Sequence, residues 1–389
     1  MNVLHLVDCT CGLDTLDTVA LIANGVPGRH TVLVLGHRDW AEAALLAGIS
    51  RESLKWNRGI SIWDPAIRRG IHKVIKSFEP THIHAWGIWG LRALSSKIEF
   101  DGPHIIFLQT PLSQNMAKPV LDSFRQRPWL LVSPWQSTLD ALLTSGIAPQ
   151  RMVKINPGIR QINAAPTLPK DFRRYLGMEP KDGPVVLLGG WPEKNVHHEH
   201  GIWALAIVAK IRPQIWGIIR TDSTICSELN NSLTGYKYFR DTIEDPGLIA
   251  MAPGQLSWRQ LLKICELVVF TPDQIVGMNG LLEAMAAGKP IISTATAQTR
   301  EILQDGRNAL LVPARNPKEL AGCINTLVGD SQLRANLGRE AKADFESQYR
   351  PEIFLGQIQS IYAQTSHDPQ LRQSVVLSEK LNSFIGSAD

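Results

Sequence analysis

Cysteine is scarce in this 389-residue sequence. It has five cysteines, an odd number, and they are scattered along the chain: Cys9, Cys11, Cys226, Cys265 and Cys323. This usage excludes a disulfide-rich secreted fold and predicts reduced thiols in a cytoplasmic protein. The pair at positions 9 and 11 lacks the second pair of ligands that a structural zinc site needs.

Long apolar runs and a strong charge imbalance are lacking as well. No segment approaches the ~20 consecutive apolar residues of a membrane-spanning helix, and Asp8 interrupts the first residues too early for a signal peptide. The formal net charge is +4 and no block of basic residues stands out, so nucleic acid is not predicted as a partner. The composition is that of an ordinary globular protein, over a length that favours two domains.

Short apolar runs alternate with helical patterns in both halves of the chain. Asn2–Val7, a helix over 14–24 and His30–Leu35 form a βαβ opening, and Val185–Leu188 and Leu267–Phe270 are strands of the second half. This alternation predicts an α/β protein with doubly wound parallel sheets. An aperiodic, proline-bearing region over 161–169 predicts a boundary between domains over 1–165 and 166–350. An amphipathic pattern predicts a helix over 351–365, and the polar, weakly periodic residues 366–389 predict a mobile tail.

One stretch, residues 265–313, combines a strand, a loop and a helix in a pattern suited to anions. The helix is predicted to open at Asn279 or Gly280 and to end at Gly288. Free backbone N–H groups at such a helix start are a ready anion site above the strand ends. Glu283 lies near this helix start, where its carboxylate can accept hydrogen bonds from ligand hydroxyls.

The same stretch resembles the nucleotide-sugar site of the GT4 family of retaining glycosyltransferases. The matching segments are Glu283–Pro290, Glu301-Ile302 and Asp305–Pro313. The resemblance implies the GT-B fold, in which two Rossmann-like domains face a central cleft. The first would be on the acceptor side, the second would hold the nucleotide-sugar, and the helix over 351–365 would cross back to the first. It implies an enzyme that moves a hexose, with retention, from a UDP- or GDP-sugar to a glycan, lipid-linked or small-molecule acceptor. It also implies that no metal ion or other cofactor is needed.

The resemblance implies roles for particular residues. Glu283 would bind the ribose, and the amides of Gly280, Leu281 and Leu282 would hold the diphosphate together with Lys194. Gly12 and Gly190 would lie near the phosphates, and Arg220, at a strand end, would replace a missing arginine. Lys194 and Gln109 would be the catalytic residues. His84 and Trp86 would lie on the acceptor side. From the residues alone, a tight-turn glycine is as good an interpretation of Gly12, while a surface lysine at 194 and a structural histidine at 84 are the more common interpretations.

Three positions depart from the family pattern. Gln109 stands where the family often has a histidine, Gly190 where it has an arginine, and Ile275 where it has a first glutamate. These departures leave open a degenerate relative that binds a nucleotide or glycan, or serves as a scaffold, without turnover. A sugar-nucleotide epimerase shares the fold, but the matched signature belongs to the transferases.

Two further segments allow more than one interpretation. Pro65–Phe78 is an amphipathic helix with a basic face; a sheet-covering helix is favoured over peripheral contact with the inner membrane surface. In the run His197-His198-Glu199-His200, only the first and last residues are expected to share a helix face. A polar helix start is therefore favoured there, and no metal site is predicted.

Overall fold

The computed structural model describes residues 1–8, 13–36, 38–57, 65–86, 100, 102–108, 129–160, 172–178, 183–190, 196–221, 235, 237–238, 240–243, 245–253, 256–273 and 279–367. Among the site predictions, Gly12, Gln109, Lys194 and Ile275 lie outside these residues. The predicted tail beyond 367 lies outside them as well.

Strands and helices alternate along the described chain. The strands are β1 (Asn2–Asp8), β2 (Arg29–Leu35), β3 (Leu54–Asn57), β4 (His82–Trp86), β5 (His104–Phe107), β6 (Trp129–Ser133), β7 (Met152–Lys154), β8 (Val185–Leu188), β9 (Trp216–Thr221), β10 (Ile249–Pro253), β11 (Leu267–Phe270), β12 (Ile291–Thr294) and β13 (Leu310–Val312). The α-helices are α1 (Leu13–Gly25), α2 (Arg38–Leu46), α3 (Pro65–Phe78), α4 (Gln136–Thr144), α5 (Phe172–Tyr175), α6 (His198–Ala209), α7 (Trp258–Ile264), α8 (Asn279–Ala286), α9 (Pro317–Gly329), α10 (Ser331–Gln348) and α11 (Pro351–His367).

The chain divides into two compact units. Unit 2 is Gln161–Arg350, and unit 1 combines Met1–Arg160 with the chain from Pro351 onward. The division after Arg160 falls slightly before the boundary expected at 165. Helix α11 belongs to unit 1 and runs to His367, so the segment expected as a tail from 366 begins with helical residues.

Unit 1 is built on a parallel sheet in the order β3-β2-β1-β4-β5-β6-β7. On one face of the sheet, Leu4, Leu6 and Ile83 pack with Ile67 and Ile71 of α3 in a buried cluster. Because α3 buries its apolar side in this core, the interpretation of α3 as a sheet-covering helix is confirmed. Within the described residues, no helix is both long enough and apolar enough to cross a bilayer.

The opposite face of this sheet carries a layer of four buried histidines, His5, His30, His82 and His84, which we call the histidine layer. Side chains alternate across a strand, so His5 faces away from Leu4 and Leu6; register then pairs it with His84 of β4. The Trp86 indole N–H donates to His5 Nδ1 (3.3 Å), His5 Nε2 lies 3.0 Å from His30 Nδ1, and His30 Nε2 lies 3.0 Å from the Val26 carbonyl oxygen. In this chain of hydrogen bonds, Nδ1 of His5 and Nδ1 of His30 must each accept, which fixes both rings as neutral tautomers.

Unit 2 contains a parallel sheet in the order β10-β9-β8-β11-β12-β13. Its strands are short apolar runs, and the helices α6 and α9 pack Ile202, Leu205, Leu320 and Ile324 against them. Strands buried on both faces require such continuous apolar sequence, which is why β8 and β11 have the predicted bounds.

Candidate functional site

The strand order of unit 2 marks the place where a ligand is expected. Strands β8 and β11 are neighbours, but the chain proceeds outward from β8 to β9 and β10 on one side and from β11 to β12 and β13 on the other. In open α/β sheets, ligands bind beyond the carboxyl ends of the strands at such a switch point. Parallel pairing of Leu188 with Val269 brings those two strand ends together.

Helix α8 starts beyond the end of β11, as predicted, and its first four residues are buried. Its C-terminus is closed by Gly288 at φ +63°, with hydrogen bonds from Gly288 N to Met285 O (2.9 Å) and from Lys289 N to Ala284 O (3.0 Å). These two bonds form a Schellman motif, which requires the left-handed residue that glycine supplies. The predicted helix end at Gly288 is confirmed.

The two loops at the switch point approach each other through glycines. A Cβ placed on Gly280 would lie 3.7 Å from the backbone nitrogen of Gly190, so the start of α8 touches the turn after β8. Gly190 has φ +91°, a conformation that strains any residue with a side chain. A cation in this turn must therefore come from another position.

Arg220 and Glu283 lie near this contact: the Trp258 ring approaches both Arg220 and Gly280, and Glu283 follows Gly280 on α8. The Arg220 guanidinium at the end of β9 lies 6.0 Å from the centre of the Trp258 ring, and the same ring lies 3.6 Å from the Cβ position of Gly280. The structure thus brings together Gly190, Arg220, Gly280 and Glu283 at one edge of the sheet. A guanidinium over an indole face is favourable by ~0.5–1 kcal/mol at exposed sites.

Glu283 has an ionic partner that the sequence did not reveal. Its Oε1 lies 4.0 Å from Nε of Arg259, and each side chain is 19% exposed. Arg259 is the second residue of α7, a helix held by a capping box between Ser257 and Gln260. The pair places one positive and one negative group within reach of the switch point. The only indication of this ion pair in the sequence was the position of α7 just before β11.

The two residues predicted on the acceptor side lie in the interior of unit 1. His84 and Trp86 are both buried, their rings stack with centroids 4.3 Å apart, and His84 Nδ1 lies 2.7 Å from the Tyr362 hydroxyl of α11. Burial, reinforced by the charges of His30 and His82, holds the pKa of His84 well below its usual range. These contacts fit the structural interpretation of His84, and we assign neither residue a ligand contact.

The comparisons with known proteins point to the same stretch of the chain, around β11 and α8. Residues 241–330, which include β11, α7 and α8, match the family model described as "Glycosyl transferases group 1". Over these residues the chain is similar to the group 1 glycosyltransferases. D-inositol 3-phosphate glycosyltransferase of Paenarthrobacter aurescens (strain TC1) is 28% identical over 227 residues, or 56% of this chain and 50% of that protein. The match therefore spans about half the length of this curated relative.

Solved structures establish the fold class. Anabaena Alr3699/HepE, in complex with UDP and glucose, has a TM-score of 0.79 at 19% identity and covers 93% of this chain and 99% of its own. A glycosyltransferase from Rickettsia africae ESF-5 has a TM-score of 0.72 at 15% identity, with 94% and 99% covered. Likeness at this identity shows the fold, and the predicted α/β GT-B class is confirmed.

Proposed function

We propose that the protein is a glycosyltransferase that moves a sugar from a nucleoside-diphosphate sugar to a glycan, lipid or small-molecule acceptor, with retention of the anomeric configuration. The observation that carries the proposal is the start of α8 at the β8/β11 switch point, where Gly280, Gly190 and Glu283 lie together. Support also comes from the matched family model over the same stretch.

In this proposal the donor binds unit 2. The amides of Gly280, Leu281 and Leu282 face the diphosphate, because a helix N-terminus offers unpaired N–H groups and a positive dipole end. Glu283 accepts hydrogen bonds from the ribose hydroxyls. The turn at Gly190 lets the backbone approach the phosphates, and Lys194, four residues later in the sequence, is proposed to supply positive charge.

Arg220 is the proposed replacement for the arginine that Gly190 excludes. A guanidinium at the end of β9, held over Trp258, is positioned on the next strand from Gly190. Stabilisation of the departing diphosphate by such groups, together with positioning, is proposed as the main catalytic contribution. We further propose that transfer needs no bound metal ion, and that the acceptor binds unit 1.

UDP is the nucleotide to test first, because Alr3699/HepE was solved with UDP-glucose as well as with UDP. Calorimetric titration with UDP and GDP measures nucleotide binding. An assay for nucleotide release from UDP- and GDP-sugars, with acceptors offered and EDTA present, then tests which donor is used. Release in EDTA supports metal-independent transfer. Binding without release for any acceptor would instead indicate a relative without turnover.

The variant Glu283→Ala tests the ribose assignment. Hydrogen bonds to a charged group contribute about 1.5–3 kcal/mol, so nucleotide affinity should fall by about 10- to 150-fold. Glu346→Ala is the matched control, since Glu346 is an exposed glutamate on α10 of the same unit. Equal affinity in the Glu283 variant and the control would show that the ribose lies elsewhere.

A further inference from the structure

A cluster of metal-ligating side chains lies at the start of α6. One ligand atom from each of His197, Glu199 and His200 lies within 4.8 Å of the other two. His197 Nδ1 is 2.7 Å from Glu199 Oε1, and the rings of His197 and His200 stack with centroids 5.6 Å apart. All three side chains are half-buried, so an ion from solvent has access to them.

The backbone explains why three neighbouring side chains converge here. His197 precedes α6 in the left-handed conformation, with φ 53° and ψ 45°, so its side chain does not follow the helical directions of the residues after it. His198 turns inward, fully buried, with Nε2 2.9 Å from the Gly189 carbonyl oxygen. The sequence expectation that only His197 and His200 share a side is therefore corrected: Glu199 joins them.

The turn that carries the cluster is held from a second strand. The Thr271 hydroxyl after β11 donates to the carbonyl oxygens of Val196 and His197, both at 2.9 Å. Together with the bond from His198 to Gly189, these contacts fix the backbone on both sides of His197. Ligands on a fixed backbone lose less entropy when an ion binds.

Asp273 completes the arrangement from outside the three ligands. Its Oδ2 lies 3.2 Å from His197 Nε2, the ring nitrogen opposite the one that faces Glu199. Oδ2 also accepts from Nε of Arg315 at 3.1 Å. A carboxylate on the far nitrogen of a metal-binding histidine orients the ring and raises its basicity in known metal sites.

We infer that His197 Nδ1, Glu199 and His200 bind a divalent transition-metal ion of the zinc class, with Asp273 orienting His197. Ligand atoms around tetrahedral zinc stand about 3.4 Å apart for bonds of ~2.1 Å; His197 Nδ1 and Glu199 Oε1 are 2.7 Å apart here, and the ligand atoms of all three residues lie within 4.8 Å of one another. The ion takes the place of the proton between His197 and Glu199. Two imidazoles and a carboxylate favour zinc-class ions over magnesium or calcium.

Three protein ligands leave a fourth position for water or an anion. The cluster follows β8 and Asp273 follows β11, so the ion lies at the switch point of unit 2. The contact between Asp273 and His197 links the ligands at the start of α6 to the residues after β11. The ion is given no step in sugar transfer, and its existence does not depend on the proposed function.

Metal binding by the untagged full-length chain tests the inference. After chelator treatment, calorimetry with zinc chloride should show one equivalent bound, and cobalt(II) should give the visible bands of a tetrahedral site. Excess magnesium should not displace either ion. Absence of stoichiometric zinc binding would overturn the inference.

Variants locate the site. His200→Ala should lower the zinc affinity by more than about 100-fold. Asp273→Asn, which removes only the orienting charge, should lower it by about 10-fold, the lower end of the effects that outer-shell partners of metal ligands have on affinity. His72→Ala, on α3 of unit 1, is the matched histidine control and should bind as the parent does. Equal affinity in the His200 and His72 variants would refute the assignment. Glu283→Ala should retain zinc binding, so this inference and the proposed nucleotide site fail separately.

Discussion

His82 provides a sharp test of how burial in unit 1 governs stability. It is 1% exposed on β4, and its ring nitrogens lie 2.9 Å from the Thr81 hydroxyl and 3.1 Å from the Thr365 hydroxyl of α11. Burial lowers the pKa of His82 from 6.5 to about 4. The folded protein therefore holds this imidazole neutral where an unfolded chain would protonate it.

The direction of the pH effect follows from proton counts. Between pH 6.5 and pH 4 the unfolded state binds the proton and the folded state does not, so the free energy of unfolding decreases as the pH falls. One pKa unit corresponds to about 1.4 kcal/mol, so the interval from 6.5 to about 4 gives a loss of about 3 kcal/mol for His82 alone. Domains have a total stability of only ~5–15 kcal/mol.

The variant His82→Gln isolates this contribution. Glutamine keeps hydrogen-bonding groups for the two threonines but does not titrate, so its unfolding free energy should decline less between pH 6.5 and pH 4, by about 3 kcal/mol. Hydrogen exchange in urea, read by mass spectrometry on peptides from β4 and α11 and corrected for intrinsic exchange rates, measures unit 1 by itself. Identical pH dependence in parent and variant would refute the reasoning.

Two further substitutions test packing in unit 2. Asp344→Ala should lower the free energy of unfolding by about 2 kcal/mol in urea denaturation. The reason is that the Asp344 carboxylate accepts a hydrogen bond from Nδ2 of the buried Asn308 at 2.7 Å. A decrease below about 0.5 kcal/mol would contradict this account. Gly189→Ala should lower the free energy of unfolding by about 1–3 kcal/mol in the same assay, because the new Cβ would lie 2.3 Å from the Phe270 ring. Gly322→Ala, where a Cβ meets no atom within 4 Å, is the control, and equal losses in both glycine variants would exclude the steric cause.

Local sequence signals were sufficient for most of the elements that position the site. Leu267–Phe270 and Val185–Leu188 are apolar runs bounded by polar, proline or glycine residues, and both have the predicted bounds. Strand β3 was not predicted, since at this sheet edge its residues are exposed or half-buried and carry no apolar pattern. Helix α2 was not predicted either.

The partners of the site residues were harder to predict, because they are tertiary contacts. Glu283 was found from its place after a strand and a helix start, but its neighbour Arg259 lies on another helix. The histidine layer depends on the register between β1 and β4, which pairs His5 with His84. The convergence of Glu199 with its neighbours depends on one left-handed residue, His197, and no pattern in the sequence signals that conformation.

Because α11 belongs to unit 1, that unit is interrupted in the sequence by roughly 190 residues of unit 2. A ribosome adding ~5–20 residues per second would need about 10 to 40 seconds to make the intervening segment. During that time the nascent sheet would lack Tyr362 and Thr365, which cover His84 and His82. Unit 2, encoded without interruption, is complete at Arg350, before α11 is made, so we expect the first-made half of this protein to be the last to mature.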